Sequence, residues 1–274
     1  MENTVMTRLF GGGQSSLSSL RGIGAGNEPF CAAGRRTIKS GFTLAEVLIT
    51  LGIIGIVAAM TMPILIEKHQ KKVTATRLKQ AYSMLSQATL LAQKDYDEPK
   101  YWDSSKGQSA NNMKNATSLW VEKYIIPYLS GAKVYGWKSL AQAGFKKGYV
   151  TLNGKVISNG NLTGVNNSAY IIELPNQVLL TFDLNSTTVE GNLYLTDILC
   201  RFDINGKQKQ NMWGRDLFMF YFDTSKGKWL PYGLSDTREN LLKSYCTKST
   251  EWGNIYCSAV IMQDGWEIKD DYPW

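Results

Sequence analysis

Residues Ser40–Lys72 read SGFTLAEVLITLGIIGIVAAMTMPILIEKHQKK, and nearly every position from Phe42 to Ile66 is apolar or small. Val47 to Ile66 is a run of twenty residues without a charge. Coiled as a helix at about 1.5 Å per residue it spans about 30 Å, the thickness of a bilayer's hydrocarbon core. One carboxylate, Glu46, stands at its start. A charge in a membrane segment costs from about 2.5 kcal/mol upward, so a residue of this kind needs a partner and marks function. Gly52, Gly55 and Pro63 interrupt the run. Proline has no N–H for the carbonyl four residues back, here Ala59, and a membrane helix tolerates that loss where neighbours re-satisfy the backbone.

Past Ile66 the apolar positions thin out without stopping. Val73, Leu78, Tyr82, Leu85 and Thr89 or Ala92 recur at helical spacing among Lys, Arg and Gln, the pattern of an amphipathic helix. The two stretches predict one continuous helix from about Phe42 to about Lys94. The segment DYDEPKYWDSSKGQSANN reads as a loop, and TSLWVEKYIIPYL as a short helix ended or broken at Pro127. After Gly131 come short runs rich in β-branched and aromatic residues: YVTL, KVI, AYIIEL, QVLLTFDL, LTDILCRFDI, LFMFYF and KWLPYG. Gly, Asn and Asp turns separate them, as between antiparallel strands. TRENLLKSYC and YCSAVIMQ read as closing helices. The expected fold class is α+β: a long N-terminal helix, its first half membrane-spanning, packed on a mostly antiparallel sheet.

Composition narrows the function classes. With 43% hydrophobic and 19% charged residues the 274-residue chain has the balance of a folded protein. Of its net charge of +7, residues 1–41 carry +3 and the rest +4, too little to imply nucleic acid. A single histidine, His69, leaves no basis for His-centred catalysis or the common zinc sites. Walker, G-x-S-x-G, H-E-x-x-H and C-x-x-C patterns are absent. The sequence points away from an enzyme. Residues 1–34, with GGGQSSLSSL as the clearest low-complexity run, read as a flexible tail carrying an incidental Cys31.

The segment KSGFTLAEVLITLGIIGIVAAMTMP resembles the N-terminus of type IV pilins and of type II secretion pseudopilins. The matching features stand in order: Arg35, Arg36 and Lys39, then Gly41, Phe42, Thr43, Leu44 and Glu46, then an apolar run ending at Pro63. The resemblance implies cleavage after Gly41 by a prepilin peptidase and methylation of the new Phe42 amine. It implies that Glu46 pairs with the Phe42 amine of a neighbouring subunit, and that the helix loosens before Pro63 during assembly. For Gly52, Gly55 and Pro63 the plainer reading is close helix packing and a kink. The expected partners are the peptidase, other pilin or pseudopilin subunits, an inner-membrane assembly platform and membrane lipid. The expected place is the bacterial inner membrane, single-pass, leader in the cytoplasm and C-terminal domain outside, then a pilus or pseudopilus. Lys68, Lys71, Lys72, Arg77 and Lys79 follow the span, so charge alone leaves orientation open; the resemblance decides it. A leader of 41 residues is long for that family, and reads as an insertion or as a start downstream of Met1.

The expected organisation is a removed leader (1–41), a membrane and assembly half-helix (42–66), an amphipathic outer half (67–95) and a globular α+β domain (96–274). In an oxidising compartment the three cysteines past the span, Cys200, Cys246 and Cys257, permit three pairings. Cys246–Cys257, eleven residues apart, is the favoured one. Asp203, Asn205, Asn211 and Asp216 gather oxygen ligands as a candidate calcium site, since some pseudopilins bind calcium in a C-terminal loop; a turn built on Asn-Gly is the alternative. No other cofactor is expected. The runner-up function is a membrane-anchored binding module for DNA uptake or adhesion. Against DNA, Lys and Arg are scattered instead of clustered on one face.

Overall fold

The computed structural model describes residues 41–102, 113–144, 148–155, 168–189, 192–208, 211–250 and 253–274. The leader, most of the run KVI, and Trp252 lie outside the described residues. The chain forms two units, residues 1–53 and 54–274. In the first, the described residues are an extended lead-in, Gly41–Thr43, and the opening turns of helix α1, which runs 53 residues as Leu44–Tyr96. Pro63 lies inside α1 and does not end it.

The second unit is built on a six-stranded antiparallel meander. Its strands are β1 (Lys133–Ser139), β2 (Ser168–Glu173), β3 (Leu179–Val189), β4 (Asn192–Asp203), β5 (Leu217–Asp223) and β6 (Lys228–Pro231), in that order across the sheet. Period-two alternation sends the aromatic and aliphatic residues to one face: Tyr170 and Ile172, Phe182, Cys200 and Phe202, Phe218 and Phe220, and Trp229. Against that face lie the later turns of α1 and helix α2 (Met113–Tyr124). The buried stripe of α1 is mostly small: Ala75, Leu78, Ala81, Leu85, Ala88 and Ala92. Small residues let the helix come close, and the large rings of the sheet fill the space between. This corrects the expected stripe at one position. Val73 is exposed, because alanines, which carry little hydropathy, take the inward positions.

Polar pins fix the position of α1. Arg77 donates to the Asn176 carbonyl (2.7 Å), Tyr82 to that of Trp229 (2.9 Å) and Gln93 to that of Gly227 (2.9 Å), while Trp229 Nε1 donates to Thr89 Oγ1 (2.9 Å). Gly227 has a φ of 61°, and a Cβ there would stand 2.8 Å from the Gln93 amide. Only glycine allows this turn so close to the helix.

The opposite face holds a smaller core of Leu140, Tyr149, Ile171, Leu199, Trp213 and Met219. Within the alternation that builds it sits a buried ion pair. Arg201 on β4 donates through both terminal nitrogens to Asp183 Oδ2 on β3 (3.0 Å each) and through Nε to Thr181 Oγ1 (3.2 Å). Both charged residues are 3% exposed. Burial pushes the Asp183 carboxyl up even though Arg201 pulls it down.

The chain closes with α3 (Arg238–Asn240), which continues as a π turn over Leu241–Tyr245, and α4 (Cys257–Gln263). Thr237 caps α3 by accepting the Asn240 N–H. Arg238 clasps Asp264 and Asp271, each at 2.7 Å. Cys246 and Cys257 are joined in a disulfide, and Cys200 is a buried free thiol. Gly214 makes room for this bridge: a Cβ there would stand 2.8 Å from Cys257 Sγ. Reducing the bridge should lower stability by about 2–3 kcal/mol, read as a shift in denaturation midpoint with and without reductant. A non-reducing peptide map should join the two segments, and Cys200 should resist alkylation until the protein unfolds. Three freely alkylated thiols in the folded protein would contradict this.

Two expected elements differ. Among the described residues YVTL makes only an isolated bridge, Val150 to Met212. The unexpected strand is β1, KVYGWKS, whose Gly136 (φ 73°) sits at a register shift against β2. A bulge glycine breaks the alternation by which strands are read.

Candidate functional site

The first turn of α1 is organised by two side chains. The Thr43 backbone N–H and hydroxyl both donate to Glu46 Oε2 (2.8 Å each), and the Glu46 N–H donates back to Thr43 Oγ1 (3.2 Å). This is a reciprocal capping box, Thr-x-x-Glu, which satisfies donors that a helix start leaves orphaned. The motif was present in the sequence as Thr43 and Glu46. Among the described residues the carboxylate has hydrogen-bond partners only in its own turn, all of them on Oε2.

The run that follows is apolar on every side. Leu48, Ile49, Ile53, Ile54, Met60 and Leu65 are each more than half exposed, and the most apolar window of α1 has a mean hydropathy of 2.4 with none of it buried. A helix apolar all round needs lipid or apolar partners. A Cβ on Gly52 or Gly55 would meet nothing within 4 Å, so no contact among the described residues requires glycine there. Gly41, likewise open, and Phe42, 87% exposed, precede the capped turn.

Residues 36–62 match the prokaryotic N-terminal methylation motif, a prepilin segment of the type IV pilin and pseudopilin kind. Residues 64–274 match a family of unknown function, DUF6613. The chain belongs to the DUF6613 family. No curated protein and no solved structure matches it. In this DUF6613 member the two matched segments meet at Pro63, where the apolar run is about to give way to charge. The long helix followed by an antiparallel sheet is a pilin-like α+β architecture.

The four oxygen-bearing residues Asp203, Asn205, Asn211 and Asp216 lie near one another, but two of them are occupied. Asp203 accepts the Gly206 N–H (2.8 Å) on one oxygen and the Asn211 side-chain N–H on the other. Asn211 also donates to the Gly206 carbonyl (3.1 Å). Burial pushes the Asp203 carboxyl well above the usual range. Asn205 and Asp216 line a cavity of about 380 Å³ with His69, Arg215 and Trp274. Among the described residues no three His, Cys, Asp or Glu side chains group closely enough to hold a metal. The arrangement fits the turn: Gly206, of the Asn-Gly pair, takes a φ of 62°, and Asp203 and Asn211 hold it. A calcium ion there would have to displace both bonds to Asp203.

Proposed function

We propose that this chain is a structural subunit of a type IV pilus-like or pseudopilus filament. On this reading it is cut after Gly41, methylated at the Phe42 amine and held in the inner membrane by Val47–Ile66. It then polymerises through that same apolar helix, with the globular domain outside. The observation that carries the reading is the coincidence of the methylation motif with a helix apolar on all sides. A membrane satisfies that surface before assembly, and neighbouring copies of such helices satisfy it after. Gly52 and Gly55 then allow close approach between chains. Pro63, lacking an N–H, leaves the helix one backbone bond short where it is asked to loosen. The role is mechanical, and the partners are the prepilin peptidase, other pilin-like subunits and an assembly platform.

The experiment is fractionation in the native host. Alkaline carbonate should leave the unassembled chain in the membrane pellet, and shearing should recover a portion in a filament fraction that depends on the assembly machinery. A chain released by carbonate, or one never found with other pilin-like subunits, would overturn the proposal.

A further inference from the structure

Where α1 leaves its apolar run, cationic side chains from separate parts of the chain converge. Lys68, Lys71 and Lys72 lie within six residues of Ile66. From the globular domain, Arg215 and Lys248 come near enough to help Lys71 hold the Glu67 carboxyl below its usual range. Glu67, Glu267 and Asp270 stand among the three lysines, and Asp216 lies beside Arg215. Lys71 takes up two of them, Glu67 at 2.8 Å and Asp270 at 3.8 Å. Lys68 and Lys72 are exposed and have no carboxylate within ion-pair distance among the described residues.

These lysines line one wall of a groove of about 650 Å³ whose other wall is the loop Gly265–Asp270. Trp266 in that loop has a φ of 69°, a left-handed conformation that a bulky residue rarely adopts. Its ring is held against Tyr82 and Phe220 (centroids 4.8 and 6.4 Å). Strain of this kind persists only where the surroundings over-determine it, and it gathers at binding sites.

We propose that this basic collar and groove bind the phosphate headgroup of an anionic phospholipid. The proposal rests on the membrane reading above. Position selects a lipid over a free anion. At about 1.5 Å per residue, Lys68–Lys72 lie about 3–9 Å past Ile66 along the helix axis, within the headgroup layer that flanks the hydrocarbon core. Charge selects an anionic lipid, because Lys71 takes up Glu67 and Asp270 while Lys68 and Lys72 have no carboxylate in ion-pair distance among the described residues. On the proposed orientation these lysines stand on the translocated side, where topology signals disfavour them. A headgroup contact gives them a role: it sets the depth of the helix and retains the unassembled subunit until the filament takes it up.

The test uses the full chain in detergent micelles, with phosphatidylglycerol and phosphatidylcholine of identical acyl chains added in equal amounts. Bound lipid is counted by native mass spectrometry. The wild type should retain phosphatidylglycerol in preference by about tenfold or more, since each basic residue near an anionic surface contributes about fivefold. The variant Lys68→Gln/Lys72→Gln/Lys248→Gln changes only exposed side chains and should lose that preference while keeping its disulfide and near-ultraviolet dichroism. Equal retention of the two lipids by the wild type, or an unchanged preference in the variant, would overturn the proposal. Displacement of phosphatidylglycerol by equimolar glycerol phosphate would also overturn it, assigning the groove to a soluble anion. A chain that stays in carbonate-washed membranes yet shows no lipid preference defeats the collar alone; one that carbonate releases defeats the membrane reading beneath it.

Discussion

Glu46→Val is expected to accumulate in the membrane, folded and processed, and to be missing from assembled filaments. Removing a carboxylate from the head of an apolar run makes insertion no harder. Folding of the globular domain should be untouched, because among the described residues the hydrogen bonds of Glu46 run only to Thr43. Two things are lost. One is the capping box, worth about 0.5–2 kcal/mol to the helix start. The other is the partner proposed for the Phe42 amine of the neighbouring subunit. An unpaired charge in a dry interface costs about 3–5 kcal/mol, a factor of more than about a hundred in association. Glu46→Gln separates the two effects. Glutamine suits the third helical position of a capping box but carries no charge, so pairing predicts that it fails like valine. Aspartate, with a shorter reach, should rescue in part. Quantifying each variant in membrane and sheared filament fractions decides the matter. Wild-type assembly of Glu46→Val would remove the pairing role, and assembly of Glu46→Gln alone would reassign Glu46 to capping.

The second large effect lies in the sheet. Arg201→Ala should destabilise the protein by about 3–5 kcal/mol at neutral pH, because it strands the Asp183 carboxylate at 3% exposure. The loss should shrink in acid, and the sign follows from linkage. Burial already raises the Asp183 carboxyl in the folded state, and removing its cation raises it further. The folded variant therefore holds a proton that the unfolded chain has released. Its stability falls as pH rises from the ordinary aspartate value of about 3.9 towards the raised folded value, and the full penalty appears above that. The double variant Asp183→Leu/Arg201→Met, which removes both charges, should be near wild type or up to about 4 kcal/mol more stable. Denaturant titration of the three proteins at neutral and acid pH checks this. A loss under about 1 kcal/mol for Arg201→Ala would show that the pair is not buried as described.

The long helix and the core strands were legible because periodicity carries them. The run from Val47 needs lipid or apolar partners, and AYIIEL, QVLLTFDL, LTDILCRFDI and LFMFYF alternate onto the two faces that the register confirms. What escaped has a physical reason in each case. The bulge at Gly136 breaks the alternation of β1. Arg201 and Asp183 occupy strand positions that a sequence assigns to solvent, and only the covering loops turn them into a buried pair. The basic collar needs Arg215 and Lys248 to fold back towards Glu67, which no local pattern announces. For the candidate calcium residues, adjacency in sequence does not reveal that Asp203 is already bonded to Gly206 and Asn211.

The central claim is that Gly41–Phe42 is a processing junction and that the matured helix is an assembly element. Mass spectrometry of the membrane-extracted chain, from cells with and without the prepilin peptidase, tests it most directly. With the peptidase present the N-terminal peptide should begin at Phe42 with a methylated amine, and with it absent the Gly41–Phe42 bond should be intact. An intact bond in both, with the peptidase active on its other substrates, would contradict it.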